Sequence, residues 1–207
     1  MFERLLQWIF PDVCLGCGKS GTLLCALCLR IAPRYNASPP VTGAQQMYIG
    51  FVYTGLVREA LLLLKYCGQR RYAALFAQVL APVLQHTYRA VVPLPAAPSR
   101  VQKRGYDQAV LLAAEVSSVH GIPCMQHLVR VRDTTAQAHL DRQQRQHNVA
   151  QAFAWNGPMM DGRILLVDDI CTTGATLTEA IRTLHQSGLA DVDVLVVARG
   201  NTKPSHS

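Results

Sequence analysis

The segment Ile164-Leu-Leu-Val-Asp-Asp-Ile-Cys-Thr-Thr-Gly-Ala-Thr-Leu177 constrains the fold more than any other part of this chain. Its aliphatic run over Ile164–Val167 predicts a strand buried on both faces, and such strands belong to parallel sheets covered by helices. Two carboxylates stand at its carboxyl end. A short loop of small and hydroxylated residues follows, and Thr176–Gln186 then reads as an amphipathic helix closed by Gly188. In open α/β sheets ligands bind beyond the carboxyl ends of the strands. The loop supplies successive backbone N–H groups, and the helix adds its N-terminal partial positive charge. Gly174 permits close backbone approach, and the hydroxyls of Thr172, Thr173 and Thr176 can donate further hydrogen bonds. That arrangement suits a phosphate monoester. Asp168 and Asp169 would repel a phosphate, and fit instead a cation or the paired hydroxyls of a ribose beside it. Diol and 5′-phosphate together describe a ribose phosphate. Asp-Asp or Thr-Thr-Gly alone is ordinary turn and capping chemistry; the specificity lies in the complete succession.

The remaining pattern agrees with an α/β chain. Met47–Tyr53 reads as a strand, Leu56–Tyr66 and Tyr72–His86 as helices, with Leu75, Val79 and Leu84 on an apolar face. Ala90–Pro93 is a strand, followed by a loop and a helix from Asp107 to His120 that Gly121 and Pro123 stop. Met125–Val131 is expected as a strand, with a short helix within Leu140–Ala150 and a last buried strand over Val192–Ala198. Alternating strands and helices with continuous aliphatic strands imply a doubly wound parallel sheet. Residues 1–40 differ in texture. They open with a short amphipathic helix over 1–10, carry paired cysteines, and end in a Pro- and Ser-containing linker, Ala32–Pro40. The expected division is therefore a small element over 1–40 and an α/β domain over 41–207.

Four of the seven cysteines crowd together as Cys14-x₂-Cys17 and Cys25-x₂-Cys28, with seven residues between the pairs. Each Cys-x-x-Cys turn directs two thiolates to one point, and two such turns complete a tetrahedron around Zn²⁺. A disulfide pair conflicts with a reducing compartment, and a thioredoxin-like site needs only one such motif beside a βαβ unit. With four protein ligands the zinc would be structural, replacing a core too small to fold alone. Cys67, Cys124 and Cys171 are scattered, as small packed thiols are. The histidines show no spacing for a second metal site or a triad.

Two further stretches are basic. The segment after Pro93 sets Arg100, Lys103 and Arg104 in a loop before a helix, where fixed donors could bind a pyrophosphate; the alternative is a solvated basic surface loop. Leu128–Phe153 is rich in Arg and Gln, including Arg130, Arg132, Gln137 and Arg145. It reads either as a lid that closes over the ligand or as an exposed helix and loop. Twenty Lys and Arg against thirteen Asp and Glu give +7, a balance that attracts phosphates, nucleic acid or acidic lipid without choosing among them. No stretch approaches the roughly eighteen apolar residues needed to cross a bilayer. With Glu3 and no long apolar run, the N-terminus does not read as a signal peptide, so a cytoplasmic protein is expected.

The Asp168–Thr176 segment resembles the 5-phosphoribosyl-1-pyrophosphate (PRPP) signature of the type I phosphoribosyltransferases. The resemblance implies that Asp168 and Asp169 contact the ribose hydroxyls and that Thr172, Thr173, Gly174, Ala175 and Thr176 hold the 5′-phosphate, with no catalytic task for Cys171. The Leu64-Lys-Tyr stretch with Gly68, Val92-Pro-Leu-Pro, Arg-Gly-Tyr-Asp-Gln at 104–108, and the series Arg130, Thr134, Gln137, Arg145, Asn148 and Phe153 are similar to the ComF family. That family includes late-competence proteins and proteins labelled GntX, and many members share the four N-terminal cysteines. Tyr106-Asp107 departs from a more frequent Phe-Asn. The resemblance implies a type I phosphoribosyltransferase-like fold with a small zinc-binding element, and Mg²⁺-dependent phosphoribosyl transfer from PRPP to an unidentified acceptor. It implies a link to DNA uptake or nucleotide metabolism as well. The rival expectation is a binding module that holds PRPP or nucleotide while the zinc element and basic surface engage single-stranded DNA or a DNA-processing partner. Few aromatics interleave with the basic residues, which argues weakly against direct base stacking.

Overall fold

The structure, a computed structural model, describes residues 12–35, 41–132 and 151–200. The expected helices over 1–10 and within Leu140–Ala150 lie outside the described residues. After α1 (Ala26–Ile31) come β1 (Met47–Val52), α2 (Gly55–Tyr66), α3 (Arg71–Leu80), β2 (Ala90–Pro93), α4 (Pro98–Arg104) and α5 (Gln108–His120). The chain continues through β3 (Leu128–Arg130), β4 (Phe153–Trp155), β5 (Ile164–Cys171), α6 (Ala175–Gln186) and β6 (Val192–Arg199). A parallel sheet runs in the order β1-β6-β5-β2, and β3 pairs with β4 in a separate antiparallel ribbon.

Side chains of a strand alternate between its faces, and both faces of this sheet are covered. Leu165, Val167, Leu195 and Val197 pack with Val57, Leu61 and Leu64 of α2, Phe76 of α3 and Leu112 of α5. Ile164, Leu166, Val194 and Val196 pack with Leu177, Ile181 and Leu184 of α6. Helices therefore cover both faces, as the doubly wound pattern requires. Asp193 interrupts the aliphatic run of β6 at zero exposure. It is compensated there by the Tyr88 hydroxyl at 2.9 Å and Arg163 Nη1 at 3.2 Å. Cys14, Leu24, Cys25 and Cys28 join the same apolar cluster as Phe51 and Leu61, so the cysteine segment is packed onto the sheet's α2 side.

Several elements differ from expectation for local reasons. The helix expected over Tyr72–His86 ends at Leu80 and passes into a 3₁₀ turn, Ala81–Val83, because Pro82 has no N–H to continue it. Its core face is Tyr72, Ala73, Phe76, Ala77 and Leu80; Leu75, Val79 and Leu84 are only partly buried. The stretch expected as a loop over 98–104 is helix α4, opened by Pro98 in its first turn and closed by left-handed Gly105 at φ 77°. The expected strand Met125–Val131 is confined to Leu128–Arg130 and pairs with β4, which was not foreseen. The linker begins as packed chain: Val52 N–H donates to the Pro33 carbonyl at 2.9 Å, and Arg34 bridges to Phe51.

Gly50 in β1 has no room for a side chain. A Cβ there would lie 2.4 Å from Leu80 Cδ2 and 2.8 Å from the Val197 carbonyl oxygen. Gly50→Ala is expected to lower stability by about 1–3 kcal/mol through overpacking, read as a fall in the urea midpoint at unchanged slope.

Candidate functional site at the carboxyl end of the sheet

Strand β5 carries Asp168 and Asp169 within its last turns of backbone, four and three residues' reach from the loop that enters α6. Gly174, in the left-handed region at φ 81°, precedes α6, and no side chain caps the helix. A Cβ at Gly174 would lie 2.6 Å from Val41 Cγ1, so both conformation and space require glycine. The first N–H groups of a helix have no intrahelical acceptor. Here Ala175 N–H donates only a long bond, 3.4 Å, to Thr173 Oγ1, and the first helical bond runs from Thr178 N–H to the Gly174 carbonyl. Thr172 is exposed, and Thr173, Ala175 and Thr176 are half-buried. The sequence-derived residues Asp168, Asp169 and Thr172–Thr176 thus form one continuous rim, with N–H groups and hydroxyls able to hold an anion beside two carboxylates.

The carboxylates are not alone. Lys65, in the last turn of α2, sets its ammonium 2.7 Å from Asp169 Oδ2. The angles are not those of a hydrogen bond, so Oδ2 is held by charge with no donor aimed along a lone pair. Asp169 N–H donates to Asp168 Oδ1 at 2.8 Å. Burial raises the Asp168 carboxyl well above the ordinary range, the neighbouring Asp169 charge raises it further, and Lys65 opposes both. A small cavity lined by Phe76, Leu80, Leu112, Val116 and Val197 reaches β5 at Val167 and Asp168. Asp107 is a third carboxylate in this field. It caps α5, accepting from Ala96 N–H at 2.7 Å and Ala109 N–H at 2.9 Å. Burial raises it, those backbone donors oppose the rise, and Asp169 adds to it.

Of the three basic residues expected to bind pyrophosphate, Arg100 and Lys103 are exposed on α4. Arg104 turns toward the end of α2: its guanidinium lies 4.8 Å over the Tyr66 ring, and Nη1 donates to Gln108 Oε1 at 2.6 Å. In the expected lid, Arg130 donates to the Arg132 carbonyl at 3.2 Å and lies over the Phe153 ring. Arg132 reaches Gln151 Oε1 at 3.4 Å, and Gln151 N–H donates to Glu179 Oε1 of α6 at 2.5 Å. The base of that segment therefore rests on the helix that follows the threonine loop; Gln137 and Arg145 lie outside the described residues. Lys65 and the third carboxylate, Asp107, were assigned no role from sequence. A lysine in a last helical turn and an Asp before a helix both read as capping chemistry.

The second cluster is the cysteine set. The sulfurs of Cys14, Cys17, Cys25 and Cys28 all lie within 4.8 Å of one another, with Cys17 and Cys25 3.6 Å apart. Backbone N–H groups, that of Cys17 foremost and that of Cys25 next, pull the Cys14 thiol down to about 6. Cys28, bonded to the Cys25 sulfur, is pushed up to about 12. Gly16 lets the turn close, since a Cβ there would lie 2.8 Å from Cys28 Sγ and from Leu56 Cδ1. Four convergent sulfurs with thiolate-favouring donors can hold a metal ion.

Sequence comparison relates the chain to known proteins. A model of the phosphoribosyl transferase domain family matches residues 101–207. Competence protein F of Haemophilus influenzae is 35% identical over 114 residues, spanning 53% of this chain and half (50%) of that protein's length. DNA utilization protein YhgH of Salmonella typhi is 27% identical over 202 residues, 91% of this chain and 84% of the relative. Competence protein ComFC of Streptococcus pneumoniae is 28% identical over 151 residues, 72% and 66% of the two chains.

A carboxyl that binds its proton more tightly when folded than unfolded loses the fold stability as pH rises through the ordinary carboxylate range toward the raised pKa. Asp168→Asn keeps an acceptor for Asp169 N–H and removes that penalty. The variant is expected to melt at a higher temperature than the native protein at pH 7, with the difference closing below about pH 4. An equal or lower melting temperature at pH 7 would contradict the desolvation of this carboxylate.

Proposed function

The chain belongs to the phosphoribosyl transferase domain family, as a ComF-family member of it, and we propose that it binds PRPP and transfers the phosphoribosyl group to an acceptor with release of pyrophosphate. The observation that carries this reading is the continuous rim from Asp168 to Thr176: two carboxylates on a buried parallel strand, followed by an uncapped helix start at Gly174–Ala175.

In this reading the 5′-phosphate accepts from the N–H groups of Thr172–Thr176 and from the threonine hydroxyls. Asp168 and Asp169 accept from the ribose hydroxyls and fix the sugar's orientation. Arg100, Lys103 and Arg104 bind the pyrophosphate, joined by Lys65, whose ammonium already stands at Asp169. Hard carboxylate oxygens at Asp168 and Asp169 fit Mg²⁺, which when bound supplies positive charge to the leaving pyrophosphate. The reaction breaks the bond between the anomeric carbon and pyrophosphate oxygen as an acceptor nucleophile, commonly a base nitrogen, attacks. Its transition state is oxocarbenium-like, so positioning and fixed charge carry the catalysis and no covalent nucleophile is required. Arg130 and Arg132, beside α6, are then the described part of the expected lid, whose alternative is an exposed helix and loop; Gln137 and Arg145 lie outside the described residues.

The four cysteines hold a structural Zn²⁺. A tetrahedral zinc with bonds of about 2.3 Å sets its sulfurs about 3.8 Å apart, and the observed set lies within 4.8 Å. Residues 1–40 then act as a metal-held element docked on the domain over 41–207, in the reducing cytoplasm. Among the described residues no helix is long and apolar enough to cross a membrane. A second reading draws on the competence and DNA-utilization names of the relatives. In it the pocket holds PRPP or nucleotide without turnover, while the zinc element and basic surface engage single-stranded DNA or a DNA-processing protein.

Two experiments separate these statements. With Mg²⁺ and a small-molecule extract of the host, the native protein is expected to consume PRPP, and Asp168→Asn/Asp169→Asn to slow consumption at least about 100-fold. The mass of the new product identifies the acceptor; binding without consumption would favour the second reading. Purified protein is expected to carry one zinc per chain. Cys17→Ser should reduce that content and the melting temperature together, and an unaltered metal content would contradict the ligand set.

A further inference from the structure

The loop between α2 and α3 is held at both ends by one side chain. The Tyr106 hydroxyl donates to the Leu64 carbonyl, and the Arg70 guanidinium lies over the Tyr106 ring, 4.6 Å from its centroid. The last four carbonyls of a helix have no intrahelical donor. At the end of α2 the Leu63 carbonyl takes the N–H groups of Cys67 and Gln69, at 3.1 and 3.3 Å, and the next carbonyl, that of Leu64, takes the tyrosine. Lys65 is the first residue after this anchor, and its ammonium meets Asp169.

Tyr106 is itself fixed from both sides. Gly105 before it closes α4 in the left-handed conformation, and Asp107 after it caps α5 and binds the Ala96 N–H. Arg104 adds a parallel tie, donating from Nη2 to the Tyr66 hydroxyl at 3.2 Å. The turn between α4 and α5 and the end of α2 that carries Lys65 therefore form one assembly at the edge of the pocket. A lysine ammonium rides on a flexible four-carbon stem, so its delivery to one place depends on where its Cα is held.

We propose that Tyr106 is a positioning residue for Lys65: its hydroxyl sets the end of α2 so that the ammonium stands at Asp169, ready for the diphosphate end of the bound sugar. The proposal rests on the reading that the ligand is PRPP. It assigns Tyr106 to the diphosphate half of the site, because its ties run to the end of α2 and to Arg70. Replacing the tyrosine by phenylalanine preserves the ring under Arg70 and removes only the hydroxyl.

The test is titration calorimetry on the full chain with Mg²⁺, using PRPP and ribose 5-phosphate as the two probes. Native protein, Tyr106→Phe, Lys65→Met and the double variant are compared. Tyr106→Phe is expected to weaken PRPP binding about 5-fold, the contribution of one ordinary hydrogen bond, and to leave ribose 5-phosphate within about twofold. In the Lys65→Met background the same change is expected to have no further effect on PRPP, as coupled residues require. Equal losses for both ligands would show a merely structural tyrosine, and unchanged PRPP affinity would show no role; either overturns the proposal. If the native protein binds neither ligand, the PRPP reading itself fails and takes the proposal with it.

Discussion

Strand β5 must satisfy two opposed demands within eight residues. Ile164 to Val167 are sealed between helices on both faces, and the next two positions are carboxylates that still lie near that apolar interior. Parallel pairing with β2 on one side and β6 on the other fixes where the strand ends, and so where the charges stand. Every other feature of the site follows from this placement. The loop must turn at once into α6, Gly174 must be left-handed against Val41, and a cation must come from elsewhere in the chain.

That cation is Lys65, and its position explains why α2 matters to the pocket. Burial and mutual repulsion work against Asp168 and Asp169 as a charged pair, with Asp107 adding a third negative group. One ammonium at 2.7 Å offsets part of that cost. The cysteine element packs against α2 and the edge of β1, and Asp12 pairs with Arg71 at 2.5 Å beside the Lys65 loop. The cysteine segment is thereby packed against α2 and tied by Arg71 to the start of α3.

Much of this was legible in the sequence because its signals are local. The aliphatic run of β5, the Asp pair, Gly174 and the two Cys-x-x-Cys turns each follow from neighbouring residues and short-range geometry. The limits of α3 and α4 were also written locally, in Pro82, Pro98 and Gly105, but a basic stretch between proline-rich segments reads as loop before it reads as helix. Lys65 and Tyr106 act across the fold, pairing with residues tens of positions away, and no periodicity or spacing announces such contacts. Strand β4 is three residues long and exists through its pairing with β3, so it too carries no sequence period of its own.

In the proposed function the N–H groups of the threonine loop hold the 5′-phosphate of PRPP. Backbone amide NMR on the isotope-labelled protein, titrated with PRPP and Mg²⁺, tests it most directly. The account predicts the largest proton and nitrogen shifts at Thr172–Thr176, with smaller changes at Asp168, Asp169 and Lys65. Shifts confined to the exposed face of α4 or to the cysteine segment, with the threonine loop unmoved, would contradict it.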